Sequence, residues 1–216
     1  ILAPAEGGVR MRGTCYIVGA GEVTARGLRP QRGDLLIAAD GGYGALRSLN
    51  LRPHVVVGDM DSWPAPIAGV PLLRFPARKD DTDLSLAIRL GHSRGYRRFL
   101  LYGATGGPRD DHFLAALQLM GGWSARGCHM QLIAPGFTVF ALTDGALMIP
   151  ANEGKTVSVF SHSPYSRGVT MRGLDYEAHG LTLRHDFPLG VSNAGTRAGR
   201  ALISVKRGTL LIYVQA

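Results

Sequence analysis

Cysteine, acid and long apolar runs are all scarce in this sequence, and each shortage removes a class of protein. Two cysteines in 216 residues, Cys15 and Cys128, cannot staple a disulfide-built fold, and no Cys/His spacing suits zinc. Two buried thiols in a reducing cytoplasm are the expectation. No apolar run approaches the roughly 20 residues that span a bilayer, so no membrane association is expected. The chain opens on Ile1 without a basic stretch followed by an apolar one, so neither a secretion signal nor a native start is expected at this point, and the expected location is cytoplasmic.

The shortage of acid is the most informative. Asp and Glu number 16 against 24 Lys and Arg, a formal net charge of +8. The basic residues are nearly all arginine, scattered singly or in pairs, with no run of five and no interleaved aromatics. That distribution argues against a nucleic-acid partner and suits an anionic small substrate.

What is present reads as two domains. Apolar runs at 15–20, 34–40, 54–59, 71–76, 97–104 and 129–135 are continuous rather than alternating, as in strands covered on both faces of a parallel sheet. Between them, 41–50, 82–95 and 110–127 have helix length and helical apolar spacing. The expected fold is therefore α/β: an open parallel-sheet α/β domain over 1–135. After 136 the runs are short and alternating, with turn signals at Asp144-Gly145 and Arg207-Gly208, so residues 136–216 are expected to form an all-β sandwich or barrel with hairpins at those turns.

Four segments, "ADGG" (39–42), "GDMDS" (58–62), "KDDTD" (79–83) and "PRDDH" (108–112), hold 8 of the 16 acidic residues. They follow predicted strands, and ligands of open α/β sheets bind outside those strand ends. One aspartate per helix start would serve as a cap. Pairs and a triplet exceed that need, and crowded like charges call for a cation. Oxygen-only donors point to Mg²⁺, with Asp59 and Asp61 as ligands. Beside them, "YGATGGPRDDH" (102–112) places Gly103, Gly106 and Gly107 before a helix start, an anion-binding arrangement, with Arg109 and Lys79 adding positive charge. A nucleoside triphosphate fits this combination, although no GxxxxGK[ST] loop occurs.

Taken in order, these segments resemble the thiamine pyrophosphokinase family. Its pattern is a DGG, a P-x-x-x-x-GD-x-DS, a D-x-TD, a GG-R-x-DH and a G-x-SN. Here they stand as Asp40-Gly41-Gly42, "PHVVVGDMDS" (53–62), "DDTD" (80–83), "RDDH" (109–112) and "GVSN" (190–193). The resemblance implies an α/β domain followed by a β-sandwich, and transfer of the pyrophosphoryl group of ATP to the hydroxyl of thiamine. It implies Mg²⁺ on Asp59, Asp61 and Asp83, and catalytic roles for Asp80 (as base), Asp83, Arg109 and Asp111. Asp40, Gly41, Gly42, Lys79, Thr82, Gly106 and Gly107 would line the nucleotide. Ser192 and Asn193 would face the thiamine of a neighbouring subunit in a homodimer. The chain departs from the pattern at Pro108, which lengthens the glycine loop, at His54, at Ala194, and in offering Phe187 as the local aromatic where relatives use Trp. The alternative reading is a haloacid-dehalogenase-type phosphatase with Asp59 as nucleophile; a non-enzymatic Arg-rich nucleic-acid module is the other.

Overall fold

The computed structural model describes residues 13–58, 69–74, 81–106 and 110–216. In chain order the elements are β1 (Thr14–Val18), β2 (Leu35–Ala39), α1 (Gly42–Ser48), β3 (Val55–Gly58), β4 (Leu72–Arg74), α2 (Asp83–Ser93), β5 (Arg98–Tyr102), α3 (Asp110–Ser124) and β6 (His129–Ile133). Eight strands follow: β7 (Phe137–Thr143), β8 (Ala146–Pro150), β9 (Thr156–Ser161), β10 (Tyr165–Arg172), β11 (Ala178–Arg184), β12 (Gly190–Ala194), β13 (Arg200–Ser204) and β14 (Thr209–Gln215). The described residues divide into two compact units, one of 13–116 with 132–135, the other of 117–131 with 136–216.

In the first unit β1 pairs in parallel with both β2 and β5, and β3 pairs in parallel with β2 and β4. The spatial order is β5-β1-β2-β3-β4. Every residue of β2 and β3 is buried, as are the last four of β1 and of β5. Their Val/Ile/Leu-rich runs need no polar face because both faces are covered. Tyr16, Val18, Leu36, Ala38, Leu46, Val56 and Tyr102 form one core cluster. The helix α2 turns Ala87, Ile88 and Gly91 inward and starts at Thr82, whose side chain accepts a hydrogen bond from the Ser85 amide at 3.2 Å.

The second unit contains two four-stranded arrays, β12-β9-β14-β7 and β11-β10-β13-β8, with all pairings within them antiparallel. Alternate residues of both, including Ile149, Val157, Val159, Val169, Leu183, Ile203, Leu210 and Ile212, make one apolar core. The turns at Asp144-Gly145 and Arg207-Gly208 do not close the expected hairpins. β7 lies in one array and β8 in the other, and the same holds for β13 and β14. Both turns carry the chain across the sandwich and are tied together: the Gly208 amide donates to Asp144 Oδ1 at 2.7 Å and the Asp144 amide to the Gly208 carbonyl at 3.2 Å. A tight-turn sequence specifies a reversal, but burial of both flanking faces decides which strand each one pairs with.

The second half of α3 belongs to this unit. Ser124 Oγ, Thr143 Oγ1 and Thr209 Oγ1 form a chain of hydroxyls at 2.9 Å per step. Gly121 packs face-on against the His162 imidazole, leaving no space for a Cβ. Burial there lowers the His162 pKa below the ordinary histidine value. The folded state therefore holds this ring neutral more firmly than the unfolded chain does. The stability it allows is complete above the ordinary histidine pKa and declines as pH falls through the lowered folded value. Urea midpoints compared at pH 7.5 and 5.0 should show a drop that is smaller in His162→Gln than in the native chain. An identical drop in both would assign the acid sensitivity elsewhere.

Candidate functional site

The carboxyl edge of the parallel sheet is built around β1. From β1 the chain steps through β2 and β3 to β4 in one direction, then β5 returns on the other side of β1. The loops leaving β1 and β5 therefore diverge at a topological switch point, where open α/β sheets bind ligands. Those two loops are joined by backbone hydrogen bonds. Gly19 N donates to Tyr102 O at 2.8 Å, Gly21 N to Gly103 O at 2.9 Å and Glu22 N to Thr105 O at 2.7 Å. A Cβ on Gly21 would overlap the Thr105 carbonyl oxygen and stand 2.9 Å from that of Gly103, so only glycine permits this approach. Gly103 and Gly106, named from the sequence, are thus half of the arrangement. Gly19 and Gly21 are the other half, missed although their signal, G-x-G directly after the first strand, was there to be read.

Asp40 follows β2 at the same edge. Its φ is +47°, in the left-handed region that costs an aspartate about 1 kcal/mol or more. The strain is held in place from two sides. The Asp40 amide donates to Val57 O at 2.8 Å, and a Cβ on Gly58 would meet Asp40 Cα at 3.1 Å, so the end of β3 abuts it. Gly41 then leads into α1, whose first residue, Gly42, lies so close to β1 that a Cβ would overlap the Val18 carbonyl oxygen. Asp40 Oδ1 is shielded from solvent.

Two of the remaining acidic segments, 79–83 and 108–112, lead into helices at this edge. Asp81 accepts from Ser85 Oγ at 2.8 Å and pairs with Arg89 at 2.6 Å, so it secures the start of α2 beside the Thr82 cap. Asp83 occupies the first turn of α2, and Asp110 and Asp111 the first turn of α3. Asp59, Asp61, Lys79, Asp80, Gly107 and Arg109 lie outside the described residues. Among the described residues no group of three or more His, Cys, Asp or Glu is close enough to hold a metal. The described carboxylates Asp40, Asp83, Asp110 and Asp111 offer oxygen, the donor type of a hard cation, with His112 next to Asp111 at the start of α3.

Ser192 and Asn193 lie on β12, in the second unit. Ser192 is exposed, has φ +61° and donates its amide to Ser158 Oγ at 3.1 Å. Asn193 is 6% exposed, and both ends of its amide are engaged within the fold. Its Oδ1 accepts from Tyr176 N at 3.0 Å and Ala194 N at 2.9 Å, and its Nδ2 donates to Tyr176 O at 2.7 Å. Asn193 therefore fixes the 173–177 turn, on which Tyr176 is 77% exposed. Phe187 is also exposed, as are Leu189, just before β12, and Val191 on it.

Comparison with known proteins agrees with this arrangement. The family model described as Thiamin pyrophosphokinase, catalytic domain, matches residues 30–132, a stretch that contains all four acidic segments. No curated protein sequence matches the chain. Among solved structures, thiamine pyrophosphokinase from Bacillus subtilis is similar with a TM-score of 0.83 at 22% identity, over 94% of this chain and 99% of that one. Thiamin pyrophosphokinase from Candida albicans gives 0.74 at 14% identity, covering 94% and 89%, and the yeast protein 0.71 at 12%, covering 94% and 86%. At these identities the likeness is one of fold.

Two substitutions test the geometry. Gly42→Ala should lower the melting temperature by several degrees, since overpacking against backbone costs about 1–3 kcal/mol, or about 2–4 °C per kcal/mol at this size. Asn193→Ala strands the Tyr176 backbone groups and should cost about 1–3 kcal/mol. An unchanged denaturant midpoint in either would show that the contact is dispensable.

Proposed function

We propose that this chain, a member of the thiamin pyrophosphokinase family through residues 30–132, transfers the pyrophosphoryl group of ATP to the hydroxyl of thiamine, giving thiamine diphosphate and AMP. The observation that carries the reading is the family match itself, spanning the acidic segments that follow β2, β3, β4 and β5. In the reaction the thiamine hydroxyl oxygen bonds to the β-phosphorus while the bond from that phosphorus to the α,β-bridging oxygen breaks. AMP leaves with the bridging oxygen. Such transfers ask the protein for alignment and charge neutralisation more than for covalent chemistry.

The joined glycine loops at the switch point are the natural seat for the phosphates, with Gly106 and Gly107 on the β5 side. Asp40, Gly41 and Gly42 border the nucleotide, and Lys79 and Arg109 offset phosphate charge. Thr82 contributes by fixing where α2, and so Asp83, begins. Asp59, Asp61 and Asp83 would hold Mg²⁺, which when bound neutralises charge on the transferring group. Asp80 takes the hydroxyl proton, and Asp111 lies toward the leaving group. Ser192 meets thiamine from the neighbouring subunit of a two-fold dimer, and Asn193 acts through the turn it holds. The phosphatase alternative gains nothing from the structure, since its motif belongs on the first strand of its fold and here follows β3.

Purified protein given thiamine, ATP and Mg²⁺ should release AMP and thiamine diphosphate in equal amounts; orthophosphate release without thiamine diphosphate would refute the reading. Asp61→Asn should cut turnover about 10-fold or more with unchanged circular dichroism. Ser192→Arg sets a cation against the thiazolium and should raise the KM for thiamine sharply. If sites are shared between subunits, mixing Asp61→Asn chains with Ser192→Arg chains, at a thiamine concentration where each alone is nearly silent, restores part of the activity. No recovery after proven subunit exchange would place each site within one chain.

A further inference from the structure

A triphosphate laid across the carboxyl edge has two different ends, and the acids at that edge set which way round it lies. Asp40 stands on the β3 side of β1: its amide donates to the Val57 carbonyl, and a Cβ on Gly58 would meet its own Cβ at 3.3 Å. The segments that would hold Mg²⁺ leave β3 and lead into α2 after β4, and both strands lie on that same side. The transferring phosphates go with the cation. The α-phosphate and the nucleoside then fall to the other side of β1, over the end of β5.

On the β5 side the loop after β1 forms a wall of fixed shape. Besides the amide bonds of Gly19, Gly21 and Glu22, Arg26 Nη2 donates to the Ala134 carbonyl at 2.8 Å and Tyr102 Oη to the Arg26 carbonyl at 3.2 Å. Val23 packs against Gly103, and Leu28 is buried. Residues 19–28 thus run from the end of β1 past that of β5 to Ala134, just after β6. Glu22 stands on this wall, exposed, with its amide held by Thr105 at 2.7 Å. Its side chain lies along Gly106, where a Cβ would come within 2.5 Å of Cγ and 2.7 Å of Cδ. The carboxylate therefore reaches the anion-binding loop itself. Among the described residues it enters no ion pair. Asp110 and Asp111 also follow β5, but on the first turn of α3 beyond that loop.

We propose that Glu22 accepts hydrogen bonds from the ribose hydroxyls of the nucleotide, an assignment that rests on the ATP-dependent reaction proposed above. An ionised carboxylate offers acceptors only, and so does a phosphate, so Glu22 has no bond to make to the phosphates it adjoins. What it can hold is a donor one step away. The ribose is joined to the α-phosphate by a single ester link and carries two hydroxyls, whereas the exocyclic amine of adenine lies on the far side of the base. A cation would need further carboxylates, and among the described residues no group of three acids gathers here. In open α/β sheets a carboxylate near a glycine turn receives ribose hydroxyls, usually from the end of the second strand. Here the residue at that strand end, Asp40, is packed against Gly58 on the β3 side, and Glu22 fills the role from the glycine turn itself. Because the wall is fixed before binding, little ordering is needed when the bond forms.

Calorimetric titration with AMP, 2′-deoxyAMP and 3′-deoxyAMP, alongside kcat/KM for the corresponding triphosphates, tests this. Removing a hydroxyl that Glu22 holds should weaken binding to the native chain at least about 10-fold, the factor that a hydrogen bond to a charged acceptor supplies. Glu22→Ala should bind AMP about as weakly as the native chain binds that deoxy analogue, and all three nucleotides within about 3-fold of one another. Glu22→Gln, of the same shape with a neutral acceptor, should fall between. The KM for thiamine and the Mg²⁺ concentration giving half-maximal rate should not move. The proposal fails if the native chain binds no nucleotide, if it binds the three alike, or if Glu22→Ala keeps the native discrimination. It fails equally if Glu22→Ala shifts the Mg²⁺ dependence instead, which would assign the carboxylate to the cation. Loss of discrimination only against purine riboside triphosphate, which lacks the exocyclic amine, would assign it to the base. Ribose discrimination that depends on Glu22 in a chain forming no thiamine diphosphate would uphold this contact and sink the proposed reaction alone.

Discussion

Parallel hydrogen bonding of β1 to β2 on one side and to β5 on the other is the constraint from which the first unit follows. It buries β1 completely past Thr14, which its Cys-Tyr-Ile-Val sequence tolerates on both faces. It also fixes where the chain reverses its direction of travel across the sheet, and so where the loops after β1 and β5 must separate. The hydrogen bonds from Gly19, Gly21 and Glu22 to the loop after β5 then hold that divergence closed at the backbone level. The glycines let the two backbones approach, and the side chains of Glu22 and Val23 pack against Gly106 and Gly103.

The strained conformation of Asp40 depends on the same arrangement. Its backbone is pinned by Val57, and the helix that follows can start only because Gly42 lacks a Cβ where Val18 presents its carbonyl. Small residues at the contacts let the fold impose a costly backbone conformation on one carboxylate.

Charge is sorted along the strand direction. Asp40 follows β2, and Asp83, Asp110 and Asp111 stand in the first turns of α2 and α3, where helix dipoles favour negative groups; Arg94 and Arg97 follow the end of α2 and precede β5. In the second unit polar groups are satisfied internally: Asn193, Ser158 and the hydroxyl chain through Thr143 and Thr209 all find partners within the fold, while Val191 on β12 is exposed.

Much of this was legible in the sequence because it is local. Continuous Val/Ile/Leu runs identified the parallel strands, apolar spacing identified α2 and α3, and the order of the acidic segments pointed to the family whose catalytic-domain model matches residues 30–132. Other features depend on partners distant in sequence. Asp144-Gly145 and Arg207-Gly208 have the composition of hairpin turns, yet each joins opposite sides of the sandwich, because core burial rather than turn chemistry chose the strand neighbours. Asn193 reads as a ligand contact until Tyr176, 17 residues away, is seen to occupy its amide. Glu22 meets Gly106 only once parallel pairing has set β5 beside β1. The sequence by itself determined which segments are strands and helices and which chemical groups follow them, since those depend on neighbours a few residues apart. Which groups meet was decided by tertiary structure alone, since strand order and burial bring together residues that no local pattern relates.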